Sequence, residues 1–216
     1  MQIEVWSDLV CPWCYIGRRQ LDIALESFEH RDEVTIWHRA YQLNPQAGTQ
    51  TQPTTEMLAE KYGVSVQEAR DMQRGVTDAA ASVGLHYQLD RTLSGNTRDG
   101  HRLVLWAQDQ SHSAGELLLN TFFSAYFEQG ASIFGIDELT AFAIGAGLDG
   151  DAARALLTGD EYADFVYRDQ EIARTLGCTG VPFFVLDERF GVTGAQSSEL
   201  FASALAQAWE AASATP

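Results

Sequence analysis

Alternating apolar and polar positions open the chain. Gln2-Ile3-Glu4-Val5-Trp6 predicts a strand, and Cys14-Tyr15-Ile16-Gly17 with Leu21, Leu25 and Phe28 falls at helical spacing. A second strand is expected over residues 33–41, closed by Asn44-Pro45, and a polar loop over 46–55 around Pro53. From there to about residue 158 nearly every pattern is helical. Ser65 and Glu68 have the spacing of a capping box ahead of a stripe at Ala69, Met72, Val76, Ala79 and Val83. Asn96 can cap a helix carrying Leu103, Val104 and Ala107. Leu118, Phe122, Ala125 and Tyr126 mark a helix that stops at Gly130, and Leu139, Phe142 and Ala143 a shorter one.

Asp160 then caps a helix with Tyr162, Phe165, Val166, Ile172, Ala173 and Leu176 on one face, ending at Gly177. A strand follows from Gly180 to Leu186, with Pro182 near its start, then a turn at Asp187-Glu188 and a partner strand at Phe190-Gly191-Val192. A last helix starts at Ser197 or Ser198 and carries Phe201, Leu205, Ala208 and Trp209. The order β-α-β, helices, α-β-β-α makes each end of the chain half of one small sheet. The expected organisation is therefore α/β, with residues 1–50 plus 160–216 as one domain and 51–159 as an inserted all-helical subdomain.

Cys11-Pro12-Trp13-Cys14 falls where the first strand gives way to the first helix. Pro12 suits the first helical turn, where an N–H is dispensable. Cys11 then lies near the N-cap, where backbone N–H groups and the positive end of the helix dipole favour a thiolate, so Cys11 is the expected nucleophile. Cys14, one turn further in, is the expected resolving thiol. A zinc half-site and two inert thiols are the competing readings. Zinc needs two further ligands, and the chain offers only Cys178 and five scattered His with no second CxxC or HxxxH, so no metal is expected.

Fourteen basic against thirty acidic side chains give a net charge of −16. That balance argues against nucleic acid and against anionic membrane surfaces as partners. Met1 leads straight into the first strand without a basic and apolar leader, so a cytoplasmic protein is expected. With three cysteines in 216 residues, a CxxC in such a compartment is catalytic rather than structural.

In this order the motifs resemble the DsbA-type thioredoxin-fold oxidoreductases, in particular the FrnE-like cytoplasmic group related to 2-hydroxychromene-2-carboxylate isomerases. The resembling stretches are Ser7-Asp8-Leu9-Val10-Cys11-Pro12-Trp13-Cys14-Tyr15-Ile16-Gly17, Tyr41-Gln42-Leu43-Asn44-Pro45, Asn96-Thr97 with His101-Arg102-Leu103, Gly180-Val181-Pro182-Phe183-Phe184, and Gly191-Val192-Thr193-Gly194-Ala195-Gln196. The resemblance implies a thioredoxin fold and a cis Val181-Pro182 bond facing the disulfide. Pro182 would be part of the catalytic centre, and Val181's backbone would be free to bind an extended substrate. It also implies substrate contacts at Pro12 and Trp13, and at Asn96 and His101 on the helical subdomain facing the cleft. Many thioredoxin-like proteins carry a buried acid six positions before the nucleophile, and here that position is Val5. Strand alternation points Glu4 away, which leaves Asp8 as a candidate for tuning the thiols. No histidine separates the cysteines, which implies a less oxidising poise than in periplasmic relatives. Cys178, four residues before Pro182, reads as a packing residue.

The leading function is a thiol-disulfide oxidoreductase or isomerase with no cofactor, acting on protein or small-molecule thiols and disulfides as a monomer or homodimer. Glutathione is left open as a co-substrate. One alternative is a glutathione-dependent isomerase or transferase of a small aromatic acid, with Cys11 or Ser7 activating glutathione. The other is a non-catalytic module that binds unfolded polypeptide.

Overall fold

The computed structural model describes residues 1–48 and 50–213. Thr49, inside the expected loop at 46–55, and the last three residues, inside the piece expected at 160–216, lie outside the described residues. The sheet has four strands, β1 (Gln2–Ser7), β2 (Thr35–Ala40), β5 (Phe183–Leu186) and β6 (Phe190–Thr193), in the order β2-β1-β5-β6. β1 runs parallel to β2 and antiparallel to β5, which pairs antiparallel with β6. The two ends of the chain thus interleave in one sheet, with Val5 opposite His38 on one side and Phe184 on the other.

One apolar layer joins α1 (Pro12–Glu26) and α9 (Ser198–Ser213) to the sheet through Ile3, Val5, Leu21, Phe184, Phe201 and Leu205. The largest core spans α1 and the helical segment through α3 (Val66–Ala81), α4 (Arg98–Gln110), α5 (His112–Phe123), α6 (Ile136–Gly145) and α7 (Gly150–Thr158), while α2 (Thr54–Tyr62) packs on α3 outside it. It includes Leu9, Cys11 and Cys14 together with Leu103, Phe122, Tyr126 and Leu139, so both thiols are packed from the helical side. α5 runs on through a π-helical turn at Ser124–Glu128 before the chain leaves near Gly130. α8 (Ala163–Thr175) returns the chain and packs on β2 and α4.

Several elements differ from expectation. Within the expected loop, Gln52–Pro53 forms β3, a two-residue ribbon with β4 (Leu93–Ser94), and α2 starts at Thr54. Strand β2 is shorter because Arg31–Glu33 is a 3₁₀ turn. α8 starts one residue after Tyr162, which is in the left-handed region with φ 64°, and Asp160 pairs with Arg98 instead of capping with its side chain. On that helix Phe165, Ile172 and Leu176 are exposed, as is Met72 on α3, because one of two helical faces finds no layer to cover it. The capping box at Ser65 and Glu68 forms with both reciprocal hydrogen bonds.

Polar side chains tie the chain where it passes between sheet and helices. Arg102, fully buried on α4, donates to the carbonyls of Leu156, Gly159 and Glu161 and pairs with Asp99. On the other passage Asn96 donates to the Ala47 carbonyl, and Gln42 bonds both Asn96 and Gln170.

Candidate active site

Cys11 is the N-cap of α1 with extended backbone angles, Pro12 occupies the first turn, and no acidic side chain competes for that helix end. The turn out of β1 is closed by a Cys11 N–H to Asp8 carbonyl bond of 3.1 Å, and the helix begins with Cys14 N–H on the Cys11 carbonyl at 3.0 Å. The Cys11 thiol donates to the Val181 carbonyl at 3.6 Å. The Val181-Pro182 peptide bond is cis. Pro182 lies directly over α1: a Cβ on Gly17 would come within 2.9 Å of Pro182 Cγ. Glycine is therefore required there for close approach rather than for its backbone freedom.

All three cysteines are free. Cys11 and Cys14 are both buried, at 4% and 1% exposure, while Trp13 between them is 43% exposed. The Cys14 pKa is pushed well up by burial first, then by the hydrogen bond and charge of Cys11 and by the Asp8 carboxylate, with the Asp8 backbone amide opposing. On the helical side the Tyr87 hydroxyl donates to the Pro12 carbonyl at 2.7 Å, and Tyr15 stacks on Phe123 at 5.1 Å. These aromatic rings brace the CxxC turn from behind. Burial pushes the Tyr15 pKa up to about 12.

Asn96 and His101 do not line an open cleft. Asn96 spends its side chain on Gln42, on the Ala47 carbonyl and on the N–H of Arg98, where it caps α4 in place of the Thr97 side chain. His101 is 0% exposed, which removes it as a direct substrate contact. Its Nε2 lies 3.3 Å from Asp8 Oδ1 and its Nδ1 3.3 Å from His38 Nε2. His38 Nδ1 in turn lies 3.2 Å from the Ser7 hydroxyl. Asp8 accepts a second bond, from the Leu43 N–H, at 2.7 Å. Glu4 is engaged by Arg39 on the far side of β1.

Behind Cys14 lies a cavity of about 10 Å³, enough for roughly one water-sized sphere. Val5, Ser7, Cys14, Arg18, His38 and Glu116 are among its walls. Arg18 bridges Asp22 and Glu116, and these carboxylates raise its pKa against the opposing effect of burial. His38, Arg18, Glu116 and Tyr87 are site neighbours that the pattern reading passed over. Arg18 carried a legible signal, a charge four residues after Cys14 on the apolar stripe of α1. Among the described residues, no three His, Cys, Asp or Glu are grouped to hold a metal ion. Nor is any helix of theirs long and apolar enough to cross a membrane.

Cys178 packs with Trp6, Ala173, Phe183 and Val185. Its thiol donates to the Gly180 carbonyl at 3.2 Å, and burial raises its pKa.

Comparison with known proteins adds three findings. A family model described as DSBA-like thioredoxin domain matches residues 2–206. A solved structure of a probable DsbA oxidoreductase, SCO1869 from Streptomyces coelicolor, superposes with a TM-score of 0.91 at 42% identity, over 97% of this chain and 90% of that one. Two more distant structures share the fold. A 2-hydroxychromene-2-carboxylate isomerase has a TM-score of 0.70 at 16% identity, over 99% and 98% of the two chains. The cytosolic disulfide reductase DsbM from Pseudomonas aeruginosa, solved with GSH, has 0.66 at 14%, over 96% and 98%.

Proposed function

This chain belongs to the DSBA-like thioredoxin domain family, and from that premise we propose that it is a thiol-disulfide oxidoreductase with Cys11 as nucleophile and Cys14 as resolving thiol. The observation that carries this reading is the position of Cys11 Sγ, at the N-cap of α1 and 3.6 Å from the Val181 carbonyl ahead of Pro182. Charge developing on that sulfur meets the positive end of the helix dipole. Cys11 attacks one sulfur of a substrate disulfide, and the other leaves as a thiolate that takes a proton from solvent. Cys14 then attacks Cys11, which releases the second substrate thiol and leaves the Cys11–Cys14 disulfide. Two thiols of the glutathione class reset the pair by the reverse exchange and leave as their disulfide. Exposed Trp13 and the backbone of Val181 offer an apolar face and a carbonyl for an extended substrate segment. Such a cycle suits a reducing, cytoplasmic setting.

The isomerase alternative loses one of its two activating groups, because the Ser7 hydroxyl is buried and engaged with His38. The test is intact-mass analysis of the reduced protein mixed with a peptide disulfide. Cys14→Ser is expected to accumulate a mixed disulfide on Cys11, and Cys11→Ser to form none and to lose turnover. Undiminished disulfide reduction by Cys11→Ser would defeat the proposal.

A further inference from the structure

The resolving thiol must lose a proton at a place where Val5 offers no acceptor. Cys14 is 1% exposed, so bulk water does not reach it freely. The cavity behind it is shared with Ser7 and His38. From Ser7 a continuous line of buried groups runs through His38 and His101 to Asp8, with contacts of 3.2, 3.3 and 3.3 Å. We propose that Ser7, His38, His101 and Asp8 form a buried proton relay that deprotonates Cys14 when the mixed disulfide on Cys11 is resolved. This inference rests on the oxidoreductase reading of the CxxC.

The direction of the line follows from hydrogen-bonding capacity. An ionised Asp8 only accepts, so His101 presents Nε2–H to it and keeps Nδ1 as an acceptor. His38 then donates from Nε2 and accepts at Nδ1, where the Ser7 hydroxyl donates. With these tautomers every donor points toward Asp8. Burial, together with the charges of His101, Arg18 and Arg39, holds His38 in its neutral form.

A proton from the Cys14 thiol crosses the cavity to Ser7 Oγ as Ser7 gives its own to His38 Nδ1. His38 passes its Nε2 proton to His101, and His101 passes one to Asp8. The Cys14 thiolate attacks Cys11 Sγ, the bond between Cys11 and the substrate sulfur breaks, and its electron pair leaves with the substrate thiolate, which is protonated from solvent. The dithiol has lost two electrons and the substrate disulfide has gained them. The displaced proton rests on Asp8 and returns to Cys14 when two glutathione-class thiols reduce the pair and leave as their disulfide.

Other charges face this line. Arg18 and Glu116 border the cavity from α1 and α5. Arg39 neighbours His38 on β2, and Asp169 on α8 binds the Ala40 N–H and Arg39. Cys11 and Tyr87 stand beside Cys14. Glu116 is the rival acceptor, but both its oxygens are engaged by Arg18 nitrogens.

The test uses 5,5′-dithiobis(2-nitrobenzoate) as an aromatic disulfide and follows the two releases of its thiolate. The first reports attack by Cys11 and the second resolution by Cys14, an assignment that Cys14→Ser checks by abolishing only the second. Ser7→Ala and His101→Gln are expected to leave the first phase unchanged. They should slow the second by about 100-fold near neutral pH, the low end of what positioned acid–base groups supply, and move its pH dependence upward. Ser7→Ala removes a single oxygen, so it decides the matter even if His101→Gln fails to fold. A wild-type protein with no second phase would defeat the oxidoreductase reading itself. A wild-type second phase that Ser7→Ala leaves unaltered in rate and pH profile would overturn the relay. So would a loss in Glu116→Gln with none in Ser7→Ala.

Discussion

Cys11 and Cys178 are nearly equally buried, at 4% and 7% exposure, and each thiol donates to a backbone carbonyl. They sit at opposite kinds of helix end. Cys11 begins α1, whereas Cys178 follows the end of α8, beyond Gly177 with φ 78°, and its N–H bonds back to the Ala173 carbonyl. The dipole that welcomes negative charge at the first position opposes it at the second. Burial alone therefore does not distinguish the two thiols, and the direction of the neighbouring helix does.

The largest expected effect tests that contrast directly. With iodoacetamide near neutral pH, followed by peptide mass mapping, Cys11 should label about tenfold faster than Cys178 or more, because negative charge is favoured at a helix N-terminus and opposed at a helix C-terminus. Cys178→Ser should leave the fast phase intact, and comparable labelling of the two would break the comparison.

Glycines near the two sites sharpen it next. Gly17→Ala would place its Cβ 2.9 Å from Pro182 Cγ and 3.3 Å from Ala195 Cα and Phe184 Cζ. It should cost about 1–3 kcal/mol in denaturant unfolding and impair thiol exchange. Gly180→Ala beside Cys178 meets nothing within 4 Å and should do neither. Tyr87→Phe removes the hydroxyl that holds the Pro12 carbonyl and should cost about 1 kcal/mol, with no counterpart at Cys178.

The smallest effect near neutrality is in pH. His38 titrates lower in the folded protein than the unfolded imidazole's value of roughly 6.5, so between those two values the unfolded chain binds more protons. Stability from thermal melts should fall as pH drops through that window, and His38→Gln should flatten the slope.

How far the sequence was legible follows from the range of each interaction. The N-cap position of Cys11, the Ser65–Glu68 box and the Asp187-Glu188 turn, with φ of 51° and 58°, depend on neighbours within four residues, and local pattern found them. The resemblance supplied the fold and pointed to Pro182. The hydrogen-bonded line from Ser7 to Asp8 was not legible, because its members come from the end of β1, the turn after it, β2 and α4, and the line closes only after folding. Taken singly, His101 read as a cleft residue and Asp8 as a tuning acid, while His38 gave no signal in its strand. Exposed Phe165 and Met72 show the complementary limit, since an apolar stripe does not say whether a partner layer covers it.

Arg102 and Asn96 give the molecule a mechanical character. Each crossing of the backbone from the sheet to its helical roof, and back, is stitched to fixed elements by side-chain donors to main-chain oxygens. Donors at both seams hold the roof against the sheet. On the oxidoreductase proposal, a disulfide is therefore expected to reach Cys11 on a loose stretch of its own chain, and crosslinks held in rigid, folded bodies are expected to react more slowly.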